Sequence, residues 1–497
     1  MHRYLHPLRY GGISGRRVQS PGNGVSAGEA LSGARGAPCA DKYAMLSHGG
    51  DGCAVRRGGT EWRCCRLEAF DKSWMAMDEF DAEFDETGRL ILPREIKDRY
   101  GFAPGAKIRV GDDDNGLQLR RSVTHLARVY IEPTNRCNLN CVTCIRNCWD
   151  EPLGEMDSAT FSRILDTLRE FPKPPGIFFG GLGEPLSHPD IVRMVRELKT
   201  LGSSVELITN GTLLNHSLAT QLIDAGLDML WVSLDGATPE SYKDVRLGAA
   251  LPEVLSNLME FRRARWTKHY PTGLDLLLKP QLGIVFVAMK RNIADLPAVF
   301  SLANRLGSLH FLVTNVLPYT PEMQEEILYS RALSDAVYIS APLLRSLDFP
   351  KMDINPATRE AFYHALHGDH SVTLSGGNLG ERNNRCPFVE KGALAIRWDG
   401  DVSPCLALLH DHKAYLHRYE RSLKRHAFGN VREHGVGEIW NQPEYVSFRR
   451  RIQEFNFSPC VLCGGCEFFL SNREDCIGSP VPACGGCLWA QGIIRCP

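Results

Sequence analysis

The sequence predicts an α/β fold built on a parallel sheet, and three observations carry that expectation. Between residues 123 and about 330, short β-branched or aromatic runs alternate with amphipathic stretches, the order of elements that a parallel sheet with crossover helices needs. Glycine and polar residues recur just after those runs, at strand ends where such folds bind ligands. Between the first two runs, Met156-Asp157-Ser158 offers a helix N-cap, and Phe161, Ile164, Leu165 and Leu168 then form one apolar helical face.

The chain has 497 residues, room for several domains, and is 43% hydrophobic and 23% charged, ordinary for a globular protein. A net charge of −1 gives no global pull towards nucleic acid or an anionic membrane. No apolar run is long enough to span a bilayer, and the N-terminus lacks an apolar core followed by a small-residue cleavage site. Seventeen cysteines without such a signal point to a reducing cytoplasm and metal ligation.

Residues 1–76 are rich in Gly, Ser and Arg without hydrophobic periodicity, the composition of a disordered tail. The alternative is that translation starts at Met75 or Met77. Cys39, Cys53, Cys64 and Cys65 lie here without metal-ligand spacing. Residues 78–121 form a compact unit. Phe80, Ala82 and Phe84 alternate with acids as a half-buried strand, Glu86-Thr87-Gly88 turns into a second strand at Leu90–Leu92, and Pro93 opens a helix to Tyr100. Pro104-Gly105 turns into a strand at Ile108 and Val110, and Asn115-Gly116 into Leu117 and Leu119. With its GRLILPRE stretch this unit resembles the swapped-hairpin domain of AbrB-type regulators, which pair as intertwined dimers and bind DNA. Here eleven acids face eight bases, the wrong sign for neutralising phosphates. Nucleic acid is therefore not the expected partner, and a docking or homodimerisation module is.

The chemistry begins after the strand at Val129–Ile131, where a loop presents Cys137, Cys141 and Cys144. Three thiolates can hold three corners of a cubane iron–sulfur cluster. With no fourth ligand one iron stays open, whereas Cys148 as a fourth would suit a closed zinc site. The next strand, Ile177–Phe179, runs into Gly180-Gly181-Leu182-Gly183-Glu184-Pro185. Glycines there let backbone approach a ligand, and the Glu184 carboxylate suits an ammonium. A third strand, Val205–Ile208, ends in Thr209-Asn210, and a fourth, Met229–Val232, in Ser233-Leu234-Asp235. Arg246 follows in SYKDVR. The fifth strand, Gly283–Met289, leads to Asn292, and the sixth, His310–Thr314, to Asn315.

Together these motifs resemble the radical S-adenosylmethionine (SAM) superfamily. That resemblance implies a partial (β/α)6 barrel and a [4Fe–4S] cluster on Cys137, Cys141 and Cys144. The open iron would chelate SAM, and homolytic cleavage would give a 5′-deoxyadenosyl radical. It places the SAM amino group on the Gly181–Glu184 motif, with Gly183 and Thr209-Asn210 alongside. The ribose and methionyl part fall to Ser233 and Asp235, the carboxylate to Arg246 and the adenine side to Asn292 and Asn315. Thr143 stands where the family often has an aromatic residue.

Residues 331–380 read as connecting helices and loops without a chemical motif. From 381 to 497 come nine cysteines: Cys386, Cys405, Cys460, Cys463, Cys466, Cys476, Cys484, Cys487 and Cys496. Asp399-Gly400 is a hairpin turn that puts Cys386 and Cys405 on one sheet. Cys-x2-Cys pairs also occur in zinc ribbons. Beside the upstream motif, however, this tail resembles the SPASM extension, which holds two auxiliary [4Fe–4S] clusters. Two cubanes need eight ligands, so one cysteine is spare or one cluster is not fully cysteine-ligated. The spacing departs from the usual Cys-x2-Cys-x5-Cys-x3-Cys, and the sequence does not assign each ligand.

The AbrB-like unit, the loop EPTNRCNLNCVTCIRNCWDEPLGEM and the ending CGGCLWAQGIIRCP together resemble one subfamily. These are the radical SAM/SPASM maturases associated with tungsten-containing oxidoreductases of the aldehyde:ferredoxin type. The resemblance implies a protein, peptide or pterin-cofactor substrate and an electron donor such as ferredoxin or flavodoxin. The alternatives are a maturase of a ribosomal peptide or sulfatase-type protein and, from another class, an iron–sulfur redox sensor that binds DNA.

Overall fold

The computed structural model describes residues 82–102, 108, 110–113, 116–269, 278–308, 310–329, 345–349, 370–374, 377–379, 384–458, 460–463 and 466–497. The expectations for residues 1–76, for the strand start at Phe80 and for the Pro104-Gly105 turn lie outside these.

Strand β1 (Glu83–Phe84) pairs antiparallel with β2 (Leu90–Ile91), across a turn that Gly88 closes at φ +78°. Helix α1 (Arg94–Tyr100) opens after Pro93 and stops at Gly101, which adopts the left-handed conformation that glycine tolerates. A second hairpin joins β3 (Val110–Asp113) to β4 (Gly116–Leu119). This is the order that the sequence predicts, but its strands leave Phe84 and Leu117 each 72% exposed.

The barrel alternates β5 (Arg128–Ile131), α2 (Ser158–Leu168), β6 (Gly176–Phe179), α3 (Ile191–Thr200), β7 (Val205–Thr209), α4 (His216–Asp224) and β8 (Met229–Ser233). It continues through α5 (Pro239–Val245), α6 (Leu251–His269), β9 (Gln281–Ala288), α7 (Leu296–Arg305) and β10 (His310–Asn315). Asp157 caps α2 by accepting the Thr160 N–H, and Phe161, Ile164, Leu165 and Leu168 are all buried. Each such side chain contributes roughly 1.5–3 kcal/mol on burial. Strands β5 to β10 pair in parallel in chain order, so all their C-terminal ends open on one side.

The sequence draws a boundary at residue 381, yet the sheet runs across it. After the described pieces β11 (Arg345–Phe349), β12 (His370–Leu374) and β13 (Gly377–Leu379), strand β14 (Ala393–Ile396) pairs in parallel with β5. Strand β15 (Val402–Ser403) then folds back on β14 through the expected Asp399-Gly400 turn, but Cys386 and Cys405 stand at the starts of short helical turns outside these strands and not on the sheet. The sheet order is β10-β9-β8-β7-β6-β5-β14-β15. An edge strand exposes unpaired backbone groups; every residue of Val129–Ile131 is apolar and buried. β14, itself wholly buried, supplies the missing partner. Strands β11 to β13 form a separate three-stranded sheet, so the described parts of 331–380 are extended where helix was expected, in keeping with the β-branched Val372 and Thr373. β16 (His412–Leu416) and β17 (Tyr419–Leu423) make a further hairpin. Among the described residues no helix is long and apolar enough to cross a membrane.

Candidate active site

The C-terminal ends of the barrel strands open on a cleft of about 700 Å³, part of it continuous with solvent and within the range of cofactor sites. Cys137, Cys141 and Cys144 line one wall. Local hydrogen bonds shape the loop that carries them: Asn147 donates to the Cys141 carbonyl at 2.8 Å, and Asn135 Oδ1 accepts the Gly154 N–H at 2.7 Å. Burial pushes the Cys144 thiol up to about 11 and raises Cys137. Cys148 turns away, donating to the Ile145 carbonyl, and is not part of the wall. Among the described residues no three His, Cys, Asp or Glu side chains converge on a point that one ion could occupy. Three thiols on one cleft wall are the donors that a polynuclear iron–sulfur cluster takes.

The glycine loop after β6 forms the adjoining wall. Gly183 has no room for a side chain, since a Cβ there would stand 2.1 Å from the Thr134 carbonyl oxygen. Gly181 has φ +132° and packs directly on Glu132. Glu184 is buried and lines the cleft. Its Oε1 accepts from Thr209 Oγ1 at 2.7 Å and from the Leu186 N–H at 3.0 Å, and its Oε2 accepts the Asn210 N–H at 2.8 Å. Burial raises its carboxyl above the usual range, against those three donors. A carboxylate has about four acceptor positions, which leaves one on Oε2. Asn210 also points its Nδ2 at Cys137 Sγ, 3.9 Å away.

Ser233 and Arg246 complete the cleft. Arg246 donates through Nε to Asp235 Oδ2 at 2.6 Å, with Nη1 3.8 Å from Cys141 Sγ. Burial opposes its charge, but Asp235 outweighs burial and holds the guanidinium above its ordinary value. Its guanidinium is thus an ion-paired group on the cleft wall. Two expectations change. Asp235 is fully buried and does not line the cleft; its carboxylate is taken up by Arg246 and by the Val287 N–H. Asn292 is buried too, bonded to the Met289 N–H and to the Asp235 and Val287 carbonyls, so three backbone groups consume its amide. Asn315 donates to the Ile493 carbonyl and ties β10 to the C-terminal segment. The donor set that remains, three thiols with Glu184 and Arg246, fits a site-differentiated cluster and a zwitterionic amino-acid cofactor.

The C-terminal cysteines separate into sets. Cys386, Cys405, Cys484 and Cys487 line one largely apolar cavity of about 790 Å³ and interact electrostatically with one another. Burial raises all four, Cys386 to about 12. Cys460 is near Cys466 and Cys476. Cys463 shares a one-turn helix with Cys460, and its side chain lies outside the described residues. Cys496 accepts from Trp489 Nε1 at 3.2 Å, lines a third cavity of about 560 Å³ and interacts electrostatically with Cys487 of the first set. That cavity shares Ile145, Gly181, Leu182 and Tyr319 with the first cleft.

Sequence reasoning passes over Tyr319, which follows β10 and lines both spaces. It also passes over Glu132, directly after β5, although a charged residue at a strand end is a usable signal. His410, which Glu132 holds, carries no such signal.

Residues 131–277 match the family model described as the radical SAM superfamily, and residues 386–467 match SPASM, an iron-sulfur cluster-binding domain. The chain is 32% identical over 376 residues to the tungsten-containing aldehyde ferredoxin oxidoreductase cofactor-modifying protein of Pyrococcus furiosus, covering 74% of this chain and 96% of that one. It is 31% identical over 361 residues to an AdoMet-dependent heme synthase of Methanosarcina barkeri, covering 70% and 89%. Streptococcus suis SuiB bound to precursor peptide SuiA aligns with 69% of this chain and 72% of that chain, at 15% identity and a TM-score of 0.43.

Proposed function

We propose a role for this chain from the premise that it belongs to the radical SAM superfamily and carries a SPASM iron–sulfur domain. It is a radical SAM enzyme. When bound, a reduced [4Fe–4S] cluster and SAM supply a 5′-deoxyadenosyl radical that takes hydrogen from substrate. In the proposed assignment Cys137, Cys141 and Cys144 hold that cluster. The observation that carries this is that the three thiols share one cleft with Glu184 and Arg246. Glu184 offers its remaining Oε2 position to the SAM ammonium, and Arg246, kept charged by Asp235, faces the carboxylate. Thr209 and Asn210 orient Glu184, Gly181 and Gly183 bring backbone to the cofactor, and Ser233 stands on the wall. Asp235 holds Arg246 from behind the wall, and Asn292 holds the Asp235 carbonyl.

Two auxiliary clusters take the remaining sets in this reading. One uses Cys386, Cys405, Cys484 and Cys487, the other Cys460, Cys463, Cys466 and Cys476. Cys496 is then the spare. Its Trp489 hydrogen bond and its place in a different cavity support that choice.

The substrate we assign is a tungsten-containing oxidoreductase of the aldehyde:ferredoxin type, modified on its pterin cofactor or on the protein itself. Support comes from the 32% identity to a modifier of such a cofactor, over nearly that protein's whole length. A ferredoxin or flavodoxin would deliver electrons in the cytoplasm. The exposed Phe84 and Leu117 suit pairing of two copies through the AbrB-like unit. To test the substrate, the oxidoreductase would be produced in a host lacking this chain and incubated with the reduced enzyme and SAM. A SAM-dependent mass change in its cofactor or peptide chain is expected, and its absence with active enzyme would reject the assignment.

A further inference from the structure

His410 is buried between two carboxylates. Its Nε2 lies 2.8 and 3.0 Å from the two oxygens of Glu132, and its Nδ1 lies 2.6 Å from Glu151 Oε2. A neutral imidazole has one N–H and would turn a lone pair on one of those groups, so between ionised carboxylates this geometry requires the imidazolium. The side chains of His410 and Glu132 are 1% and 0% exposed. The surrounding charges agree. Arg397, at the end of β14, donates to Glu151 at 3.0 Å and pairs with Asp399 and Asp401. Asp411 is paired by Lys424 and accepts the Arg425 backbone N–H, while the Arg425 guanidinium pairs with Asp401. His412 stays neutral, as burial lowers it to about 4. Trp149 packs on the His410 ring.

Glu132 has a second task on the barrel side. Its Oε1 accepts the Leu182 N–H at 2.9 Å, and its side chain fills the space where Gly181 lacks one. The glycine loop that walls the cleft thus hangs on a carboxylate whose counter-ion comes from beyond residue 381. We propose that His410, acting through Glu132, is a positioning residue for the SAM-facing glycine loop, so that the docked SPASM segment sets the loop's geometry. This rests on the functional reading of the cleft. Its hydrogen bonds go to the two carboxylates, and its influence reaches the loop through Glu132, at the Leu182 N–H and the packing on Gly181. Glu132 and Glu151 together raise the imidazolium to about 9, against the opposing effect of burial.

The test uses anaerobically reconstituted full-length wild type and His410→Gln. Expected is unchanged iron content, faster hydrogen exchange in the peptide covering residues 178–186, and SAM bound about tenfold more weakly, the low end of the loss when a hydrogen-bond partner behind a binding group is removed. The ratio of the variant's SAM Kd to that of wild type should shrink between pH 8 and 10, as wild type loses the proton that the variant never had. SAM's own ionisation cancels in that ratio. Glu132→Gln keeps an oxygen for Leu182 but removes the charge, and it reports the same coupling if His410→Gln does not fold. A SAM Kd within twofold of wild type with unaltered exchange, or a ratio constant from pH 8 to 10, would overturn the proposal. Failure of wild type to bind SAM at pH 7 would strike the functional reading instead, and loop exchange in the variant would still decide whether His410 positions it.

Discussion

Arg246 reaches back eleven residues to Asp235, donating through Nε at 2.6 Å to a carboxylate that is itself fully buried. The pair is a scaffold for the cleft wall as much as a charge in it, because Asp235 also accepts the Val287 N–H and so joins β8 to β9.

Asp235→Asn should therefore be costly. It leaves a buried guanidinium uncompensated, which destabilises by about 3–5 kcal/mol. The shift in urea midpoint measures this, and Asp235→Asn should also weaken SAM binding by orienting Arg246 poorly.

Gly183→Ala should act on catalysis more than on folding. The added methyl meets backbone oxygen at 2.1 Å, so the loop must move away from Thr134. A displacement of about an ångström costs on the order of 100-fold in rate. Deoxyadenosine formation slowed by about that factor under saturating SAM, with iron content unchanged, is the expected signature.

The two cysteine sets predict a contrast. Cys405→Ala should lose about four irons per chain, one cubane, while Cys496→Ala should lose none. Iron and sulfide analysis of both variants decides it, and equal losses would restore Cys496 to a cluster.

Stability should depend on pH through His410. Its pKa is raised in the fold from 6.5 to about 9, with Glu132 and Glu151 outweighing burial. That contribution is fully present below about pH 6.5 and is lost as pH rises through 9. On the order of 2–4 kcal/mol is at stake. Thermal midpoints of wild type should fall towards those of His410→Gln between pH 7 and 10.

The barrel was legible because its strands are apolar, β-branched and separated by helices of clear period. The six expected strands match β5 to β10 within two residues at each end. The cluster loop and Glu184 were legible because their chemistry is local: close spacing on one short loop. What escaped depends on distant segments meeting. Nothing in Ala393–Ile396 says that it pairs with β5, and nothing at His410 says that it lies between Glu132 and Glu151. Asn292 shows the opposite failure. A strand-end asparagine has the right chemistry for a ligand, but backbone groups three and five residues away, and the Asp235 carbonyl, claimed its amide first.

The most direct test of the central claim is an iron and sulfide count on anaerobically reconstituted protein, followed by dithionite, SAM and a search for 5′-deoxyadenosine. Wild type is compared with the chain carrying Cys137→Ala, Cys141→Ala and Cys144→Ala together. About twelve irons in wild type, three cubanes, about eight in the triple variant, and deoxyadenosine from wild type alone are the predicted result. Zinc in place of iron, or deoxyadenosine formed equally without the three thiols, would contradict it.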